Sequence, residues 1–435
     1  MNPIEWWGGA ECTVNRVGDR YMDQSKRTGH YERLDDLDRV ADLGIRRVRF
    51  PIIWEQHRQV AGKYDFGWAD SRMQRLRDLG IDPIVGLVHH GSGPAHTHLM
   101  DEALAPGLAD FARQVAHRYP WVTYFTPINE PLTTARFSGL YGHWYPHARD
   151  DRSFLRMLLN QTYATQLAMA AIREVIPAAQ LIQTEDIGTV FSTAPLAYQA
   201  EFENHRRWLS FDLLFGLVKP FHPLYPYLVD VAGVCPAQLA ALELTPCPPN
   251  IVGINYYVTS DRFLDHRTGL FPPGTLGSNG RQSYADVEAV RVLPSGIVGH
   301  KAVLEAAWQR YNTPVALTEV HLGCTEEHQS LWLTEAWLGA QAAAVEGVQV
   351  CAVTAWSLFG AFDWNSLVTR CTDYYEPGAF DVRHDPPKRT RVADTIRLLA
   401  GEAAISTDVK LGWWRRPERI LYTHEVNTTR TTVAA

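Results

Sequence analysis

Eight short apolar runs recur along the chain, each separated from the next by a longer stretch, and few architectures accommodate that rhythm. The runs lie near residues 4–8, 45–50, 83–88, 121–130, 180–184, 251–256, 313–319 and 350–356. Their β-branched and aromatic content is that of strands. Between them, residues 33–43 place Leu34, Leu37, Val40, Ala41 and Leu43 on one helical stripe stopped by Gly44. Residues 68–79 repeat the pattern before Gly80, and 106–119, 153–175 (with Ser153 as its cap) and a closing 388–400 follow. Glycine just past a helical stripe and Ser at its start are the expected stop and start signals. Eight strands alternating with helices predict an α/β fold, a single (β/α)8 TIM barrel. The alternative is a doubly wound open sheet. It is disfavoured because Trp7-Gly8-Gly9-Ala10-Glu11 lacks the glycine spacing of a dinucleotide-binding turn. One domain is expected over 1–426, followed by a polar, Thr-rich tail at 427–435. The stretches 185–250 and 259–299 exceed ordinary barrel loops and are expected to cover the barrel's mouth.

Composition narrows the function classes. The net charge of −7 is spread along the chain, without the clustered Lys and Arg of a nucleic-acid footprint. No run is apolar enough to span a membrane, mean hydropathy is −0.20, and no signal peptide is visible at the start, so a cytoplasmic location is expected. Six scattered cysteines (Cys12, Cys235, Cys247, Cys324, Cys351, Cys371) are expected to be free thiols. Fourteen Trp and eighteen Tyr suit sugar stacking as well as core packing.

Active sites of such barrels are built at the strands' carboxyl ends. Those ends carry Arg49, then His89 and His90, Asn129 and Glu130, Asn255 and Tyr257, Glu319, and Trp356. Each glutamate alone reads as an ordinary acid at a strand–loop junction. Two of them on separate strands are what glycoside hydrolysis by paired carboxylates requires. An arginine or a tyrosine hydroxyl beside a carboxylate favours its charged form, while an apolar surrounding keeps a carboxyl protonated. Which glutamate plays which part does not follow from spacing. His89, His90, His96, His98, His143 and His147 lack acids at ligand spacing, so hydrogen-bonding roles are expected and no metal or cofactor. Tyr141 to Pro146 reads as an aromatic wall of the entrance. Glu185 and Asp186 are either a polar contact or a helix cap. Arg136 either tunes the site or pairs at the surface, the second being the ordinary outcome. Trp413 and Trp414 are expected to pack at the barrel's base.

Over about residues 7–399 the chain resembles glycoside hydrolase family 1, the retaining β-glycosidases, of which it would be a divergent member. Thr126-Pro127-Ile128-Asn129-Glu130-Pro131 resembles the family's Thr-Phe-Asn-Glu-Pro motif, and Leu317-Thr318-Glu319 the start of Thr-Glu-Asn-Gly. Val48-Arg49-Phe50-Pro51-Ile52-Ile53-Trp54 is similar to Tyr-Arg-Phe-Ser-Ile-Ser-Trp, and Gly253-Ile254-Asn255-Tyr256-Tyr257 matches the sixth strand. Trp356-Ser357-Leu358 with Phe362-Asp363-Trp364 resembles a sugar-binding stretch, and residues 62–81 follow the second-helix region. The resemblance implies Glu130 as general acid/base and Glu319 as nucleophile, supported by Arg49 and Tyr257. It further implies Asn129, His89, Asp363, Trp364 and Trp356 as sugar contacts, with His90 and Asn255 beside them.

The departures fall on sugar recognition. The first strand delivers no glutamine, so Glu11 or Asn15 must substitute for it. His90 stands where the family has Trp, Val320 and His321 follow Glu319, and Asp363 is one methylene shorter than the family's glutamate. The implied function is hydrolysis of a small β-linked glycoside, with no nucleic-acid or membrane partner. The alternatives are a sugar-binding barrel without catalysis and a transglycosylase using the same two glutamates.

Overall fold

The computed structural model describes residues 3–57, 59–60, 63–401 and 410–422. Its centre is a closed barrel of eight parallel strands. These are β1 (Glu5–Gly9), β2 (Arg47–Pro51), β3 (Asp82–His89), β4 (Tyr124–Asn129), β5 (Gln180–Asp186), β6 (Ile251–Asn255), β7 (Val315–Val320) and β8 (Val350–Ala355). β1 pairs with both β2 and β8, which closes the ring. The α/β class and the (β/α)8 TIM barrel expected from the alternation are what the chain forms. The tail expected at 427–435 lies outside the described residues.

Inside the barrel, Trp7, Ile84, Ile182, Ile251, Ala316 and Ala352 fill the lower layer. Arg47 seals the bottom from above the Tyr124 ring, 4.5 Å from its centroid, and pairs with Glu5 at 2.7 Å. Outside, helices α1 (Asp36–Asp42), α2 (Gly67–Leu79), α3 (Leu104–Arg118), α4 (Pro131–Ala135) and α5 (Asp151–Val175) follow the first four strands. Gly80 ends α2 at φ 65°, a left-handed conformation that glycine adopts without a Cβ penalty. α5 is capped by Asp150, whose carboxylate accepts from the Ser153 amide at 2.8 Å, so the cap lies three residues before the expected Ser153. The shorter acid at the turn reaches the free amide first, and the Ser153 hydroxyl donates to its other oxygen.

The two long stretches become structured cover. From the first come α6 (Ala197–Arg207), α7 (Leu209–Leu214) and α8 (Pro236–Leu244). Strand Val190–Ser192 from it joins three strands of the second stretch in a four-stranded sheet. α9 (His300–Tyr311), α10 (Glu326–Val345) and α11 (Arg391–Ala400) complete the outer ring. Trp414 is buried, but against Trp332 near the start of α10 (centroids 5.0 Å apart), and Trp332 stacks on Tyr256 just past β6. It therefore packs near the strands' carboxyl ends and not at the base. All six cysteines are free thiols; Cys12 and Cys247 are buried, Cys235 and Cys371 exposed. Among the described residues no helix is long and apolar enough to cross a membrane.

Candidate active site

β4 ends by delivering Asn129 and Glu130 into a sharp turn. Glu130 adopts φ 46°, and Pro131 then opens α4. A non-glycine residue held left-handed costs on the order of 1 kcal/mol and needs external support. Support comes from β5. Glu185 accepts from the Leu132 amide (2.8 Å), the Thr133 amide (3.2 Å) and the Thr133 hydroxyl (2.9 Å), so of its two possible roles it is the helix cap. The Glu130 amide donates to the Thr184 carbonyl at 3.2 Å. The Asn255 side chain, from β6, donates to Glu130 Oε1 at 2.5 Å and accepts from the Thr318 hydroxyl at 2.6 Å.

Glu319 sits near the end of β7. The registers with β6 and β8 both slip around Thr318 and Glu319, an irregularity of the kind that re-aims side chains at sites. Arg49 donates to Glu319 Oε1 at 2.6 Å and to the Thr318 carbonyl at 2.9 Å, and Tyr257 donates its hydroxyl to Oε2. The same guanidinium holds Asn129 Oδ1 at 2.5 Å, which also accepts from the Thr184 hydroxyl at 2.7 Å. With its oxygen thus occupied, Asn129 turns its amino group to His89 Nε2, 3.2 Å away.

The two carboxyls are both buried but differently surrounded. Burial, the charge of Glu319, and then Glu185 and Asp186 push Glu130 well above the usual carboxylate range; the Asn255 amide opposes them. Burial also raises Glu319, but there the Arg49 guanidinium and the Tyr257 hydroxyl act against it. Of the pair, Glu130 is the one that keeps its proton. His89 and His90 are neutral: burial and the nearby Arg49 push the first well below its ordinary value, the second down to about 3.

The expected sugar contacts divide into two groups. Trp356 is buried, stacks on His89 (5.5 Å, planes 7° apart) and lies under Arg49. It comes so close to β1 that a Cβ on Gly9 would stand 2.4 Å from its ring, so glycine is required there. Trp364 packs edge-on to His90 at 5.7 Å. Glu11 is buried, and both indoles act on its carboxyl. Burial raises its carboxyl, against the Thr13 hydroxyl and amide and then the Trp356 and Trp364 N–H groups. These residues stand where a ligand could meet them. The others are engaged elsewhere. Asp363 accepts from the Thr372 amide (2.9 Å), the Thr372 hydroxyl (2.7 Å) and the Tyr374 amide (3.1 Å), and pairs with Arg27 at 3.2 Å. It is held by its own loop through Oδ1 and by Arg27 through Oδ2. Asn15 donates to the Val368 carbonyl at 3.1 Å, pinning the same loop. Asn255 serves Glu130, as described. His90 reaches Glu130 Oε2 at 3.6 Å through Nε2 and the Thr134 hydroxyl at 3.0 Å through Nδ1. Both had been expected to contact substrate, and both instead face the acid.

The remaining histidines spread apart. His96 packs edge-on to Trp54, His98 edge-on to Tyr145, and His147 accepts from the Gly18 amide. Among the described residues no group of three or more His, Cys, Asp or Glu could hold a metal ion. Of the expected aromatic wall, Trp144 is fully buried and donates to the Leu367 carbonyl at 2.7 Å. The wall is therefore joined to the Asp363 loop.

Fold and site together define an α/β barrel with two buried, differently supported glutamates at the carboxyl ends of its fourth and seventh strands. No model of a known protein family matches the chain. Its fold is similar to that of β-glucosidase from Thermotoga maritima. With the azafagomine complex the TM-score is 0.72 at 15% identity, covering 93% of this chain and 99% of that one. With the methoxycarbonyl-substituted glucoimidazole complex it is 0.71 at 17%, with the same coverage. With a structure described as the family 1 β-glucosidase it is 0.71 at 15%, again over 93% and 99%. The likeness is one of fold: this chain has the family-1-like barrel.

Proposed function

We propose that this protein is a retaining β-glycosidase acting on a small β-linked glycoside. The observation that carries the reading is the unequal support of the two glutamates. Glu130 is buried among carboxyls and neutral donors and holds a proton. Glu319 is clamped by Arg49 and Tyr257 in the orientation of a nucleophile. The fold neighbours are β-glucosidases, in complex with deoxynojirimycin among others, which favours a carbohydrate ligand.

In the first step a Glu319 oxygen attacks the anomeric carbon while Glu130 gives its proton to the departing glycosidic oxygen. In the second, ionised Glu130 takes a proton from water, which displaces Glu319 from the sugar. Such chemistry works with carboxyl groups about 5–5.5 Å apart and uses no cofactor. Asn129, His89, Trp356, Trp364 and Glu11 would line the sugar. A binding-only barrel gains nothing from keeping one carboxyl protonated beside another held by an arginine.

The test is release of aryl groups from a panel of aryl β-glycosides by wild type, Glu130→Gln and Glu319→Gln. A 2-fluoro glycoside is then used to trap the intermediate. Turnover lost in both variants, with a mass adduct on Glu319, supports the reading. A folded wild type silent across the panel and forming no adduct would remove it.

A further inference from the structure

A cavity of about 380 Å³ lies in the outer ring, lined by the start of α9, by α10 and by the segment 410–415. A space of that size holds a small organic molecule. Much of its wall is apolar: Leu331 and Leu338 come from α10, Leu411 and Trp414 from the last segment. Leu338 is 37% exposed and Leu411 62%, whereas His300 and Trp414 are at most 1% exposed. The first pair therefore forms the rim and the second the floor.

The charged residues of the wall are already matched. Lys301 pairs with Glu305 at 2.6 Å and with Glu346 at 2.8 Å, and Lys410 with Glu327 at 3.3 Å. Glu335 takes Arg415 on one oxygen at 2.6 Å and the Trp414 indole N–H on the other at 2.8 Å. Arg415 also donates to the Ile297 carbonyl at 3.1 Å. A charged ligand would have to enter without a free counter-ion, at the cost of its own desolvation. His300 is different. Both of its ring nitrogens are buried, and neither has a hydrogen-bond partner among the described residues. The ring itself is fixed, edge-on to Trp332 with centroids 4.4 Å apart and to Tyr256 at 5.2 Å. Burial and then the charge of Arg415 push it down to about 3, so the imidazole is neutral. A neutral imidazole carries one donor and one acceptor. A hydroxyl both donates and accepts, so it satisfies whichever nitrogen it meets.

We propose that this cavity is a second binding site, apart from the two glutamates, for a small uncharged molecule with an apolar body and one hydroxyl, which His300 meets at the floor. Burying the body against Leu331, Leu338, Leu411 and Trp414 supplies the affinity, and the hydroxyl supplies the selectivity. The site stands whatever reaction the glutamates perform.

The experiment locates the probe and then measures what holds it. Crystals of the full chain are soaked with 4-bromophenol, and the anomalous signal of bromine is mapped. Phenol, toluene and benzoate are titrated in solution by calorimetry. A bromine peak inside the cavity, with the phenol oxygen within hydrogen-bond distance of His300, is the expected result. Phenol should bind saturably and about three- to tenfold more tightly than toluene, the worth of one neutral hydrogen bond, and more tightly than benzoate. His300→Phe keeps a ring against Trp332 and Tyr256 and removes both nitrogens. In it the preference for phenol over toluene should fall toward one while toluene binds as before. Leu338→Trp, at the half-exposed rim, should weaken both probes and keeps the test decisive should His300→Phe fail to fold. Bromine found only elsewhere, such as beside Glu130 and Glu319, would overturn the proposal. So would equal affinity for phenol and toluene in wild type, or benzoate as the tightest of the three. A peak in the crystal without saturable binding in solution would mean binding at crystal concentration only, and would overturn it as well.

Discussion

Replacing Glu185 with glutamine tests whether burial outweighs hydrogen bonding in the carboxyls behind Glu130. Glu185 is fully buried and receives five donors: two α4 amides, the Thr133 hydroxyl, the Ser210 hydroxyl at 3.0 Å and the Asp186 amide at 3.3 Å. Burial still prevails and pushes its carboxyl from 4.5 up to about 7. That shift corresponds to roughly 3 kcal/mol between the two protonation states. The unfolded chain releases this proton near the ordinary value and the folded chain keeps it to about 7. The stabilisation is therefore full below the unfolded pKa and is lost as pH rises through that window. Glutamine cannot ionise, and it turns an amino group toward donors that want an acceptor, at a cost of about 1 kcal/mol. Wild type should be the more stable at pH 4 by about 1 kcal/mol, and Glu185→Gln the more stable at pH 8 by about 2 kcal/mol. Urea unfolding at the two pH values measures this directly. A stability gap that stays constant between them would mean that the five hydrogen bonds outweigh burial, and the reasoning would fail. A second readout lies in the kinetics. Removing a negative charge near Glu130 makes that acid easier to ionise, so the alkaline limb of kcat/KM should move to lower pH.

Tyr257→Phe removes the hydroxyl that favours the charged form of Glu319. It should lower kcat/KM by roughly 10–100-fold, the worth of one charge-assisted bond, and shift the acidic limb upward; an unmoved limb would count against Glu319 as the group that must be ionised. Glu130→Gln should slow release of a poor leaving group by about 10²–10⁴-fold and that of dinitrophenol far less. Equal losses for both leaving groups would argue against its role as acid. Gly9→Ala would push a methyl into the Trp356 ring. It should destabilise by about 1–3 kcal/mol and raise KM, read by thermal unfolding and steady-state kinetics. Arg27→Met leaves the Asp363 carboxylate without its ion pair. Its carboxyl, still held by Thr372 and Tyr374, should rise from its depressed value, and the variant should lose about 1 kcal/mol at pH 7 and less near pH 3, where Asp363 is protonated in the unfolded chain.

The barrel was legible because each strand keeps its own apolar run, with helical stripes between the runs. Glu130, Glu319, Arg49 and Tyr257 were legible because polar residues at strand ends have no packing purpose. What escaped depends on distances along the chain that no local pattern records. Asp363 resembles a sugar ligand, yet Arg27 from the first loop and two donors from its own loop absorb it. Its left-handed φ of 61° turns the side chain away, and an aspartate carries no glycine or proline to announce such a turn. Asn255 and His90 sit at the expected strand ends but are aimed by the register slip beside Glu319 and by His90's own φ of 56°. The cap by Glu185 could be chosen over a polar contact only once β4 was seen to pass straight into α4. Arg136 looked ordinary because a surface acid is usually close to an arginine; here its guanidinium stands 5.6 Å from the centre of the Tyr141 ring.

The residues that govern the chemistry and those that would govern the choice of substrate come from different parts of the fold. Arg49, Asn129, Thr184, Asn255 and Thr318 all lie on barrel strands, and they brace the two glutamates through a continuous set of hydrogen bonds. Sites built on strands hold their geometry more closely than sites on loops. Glu11, Asp363 and Trp364 belong to loops after β1 and β8. Loops tolerate replacement without disturbing the barrel. The strand-borne brace can therefore stay fixed while the loop contacts around it change. In this chain Glu11, from the first loop, is the carboxyl on which Trp356 and Trp364 act, and Asp363, on the eighth, pairs with Arg27. The strand-borne brace and the loop-borne contacts can accordingly be altered separately, and variants at Glu11 and Trp364 should change which glycoside is turned over while leaving the Arg49–Glu319 clamp in place.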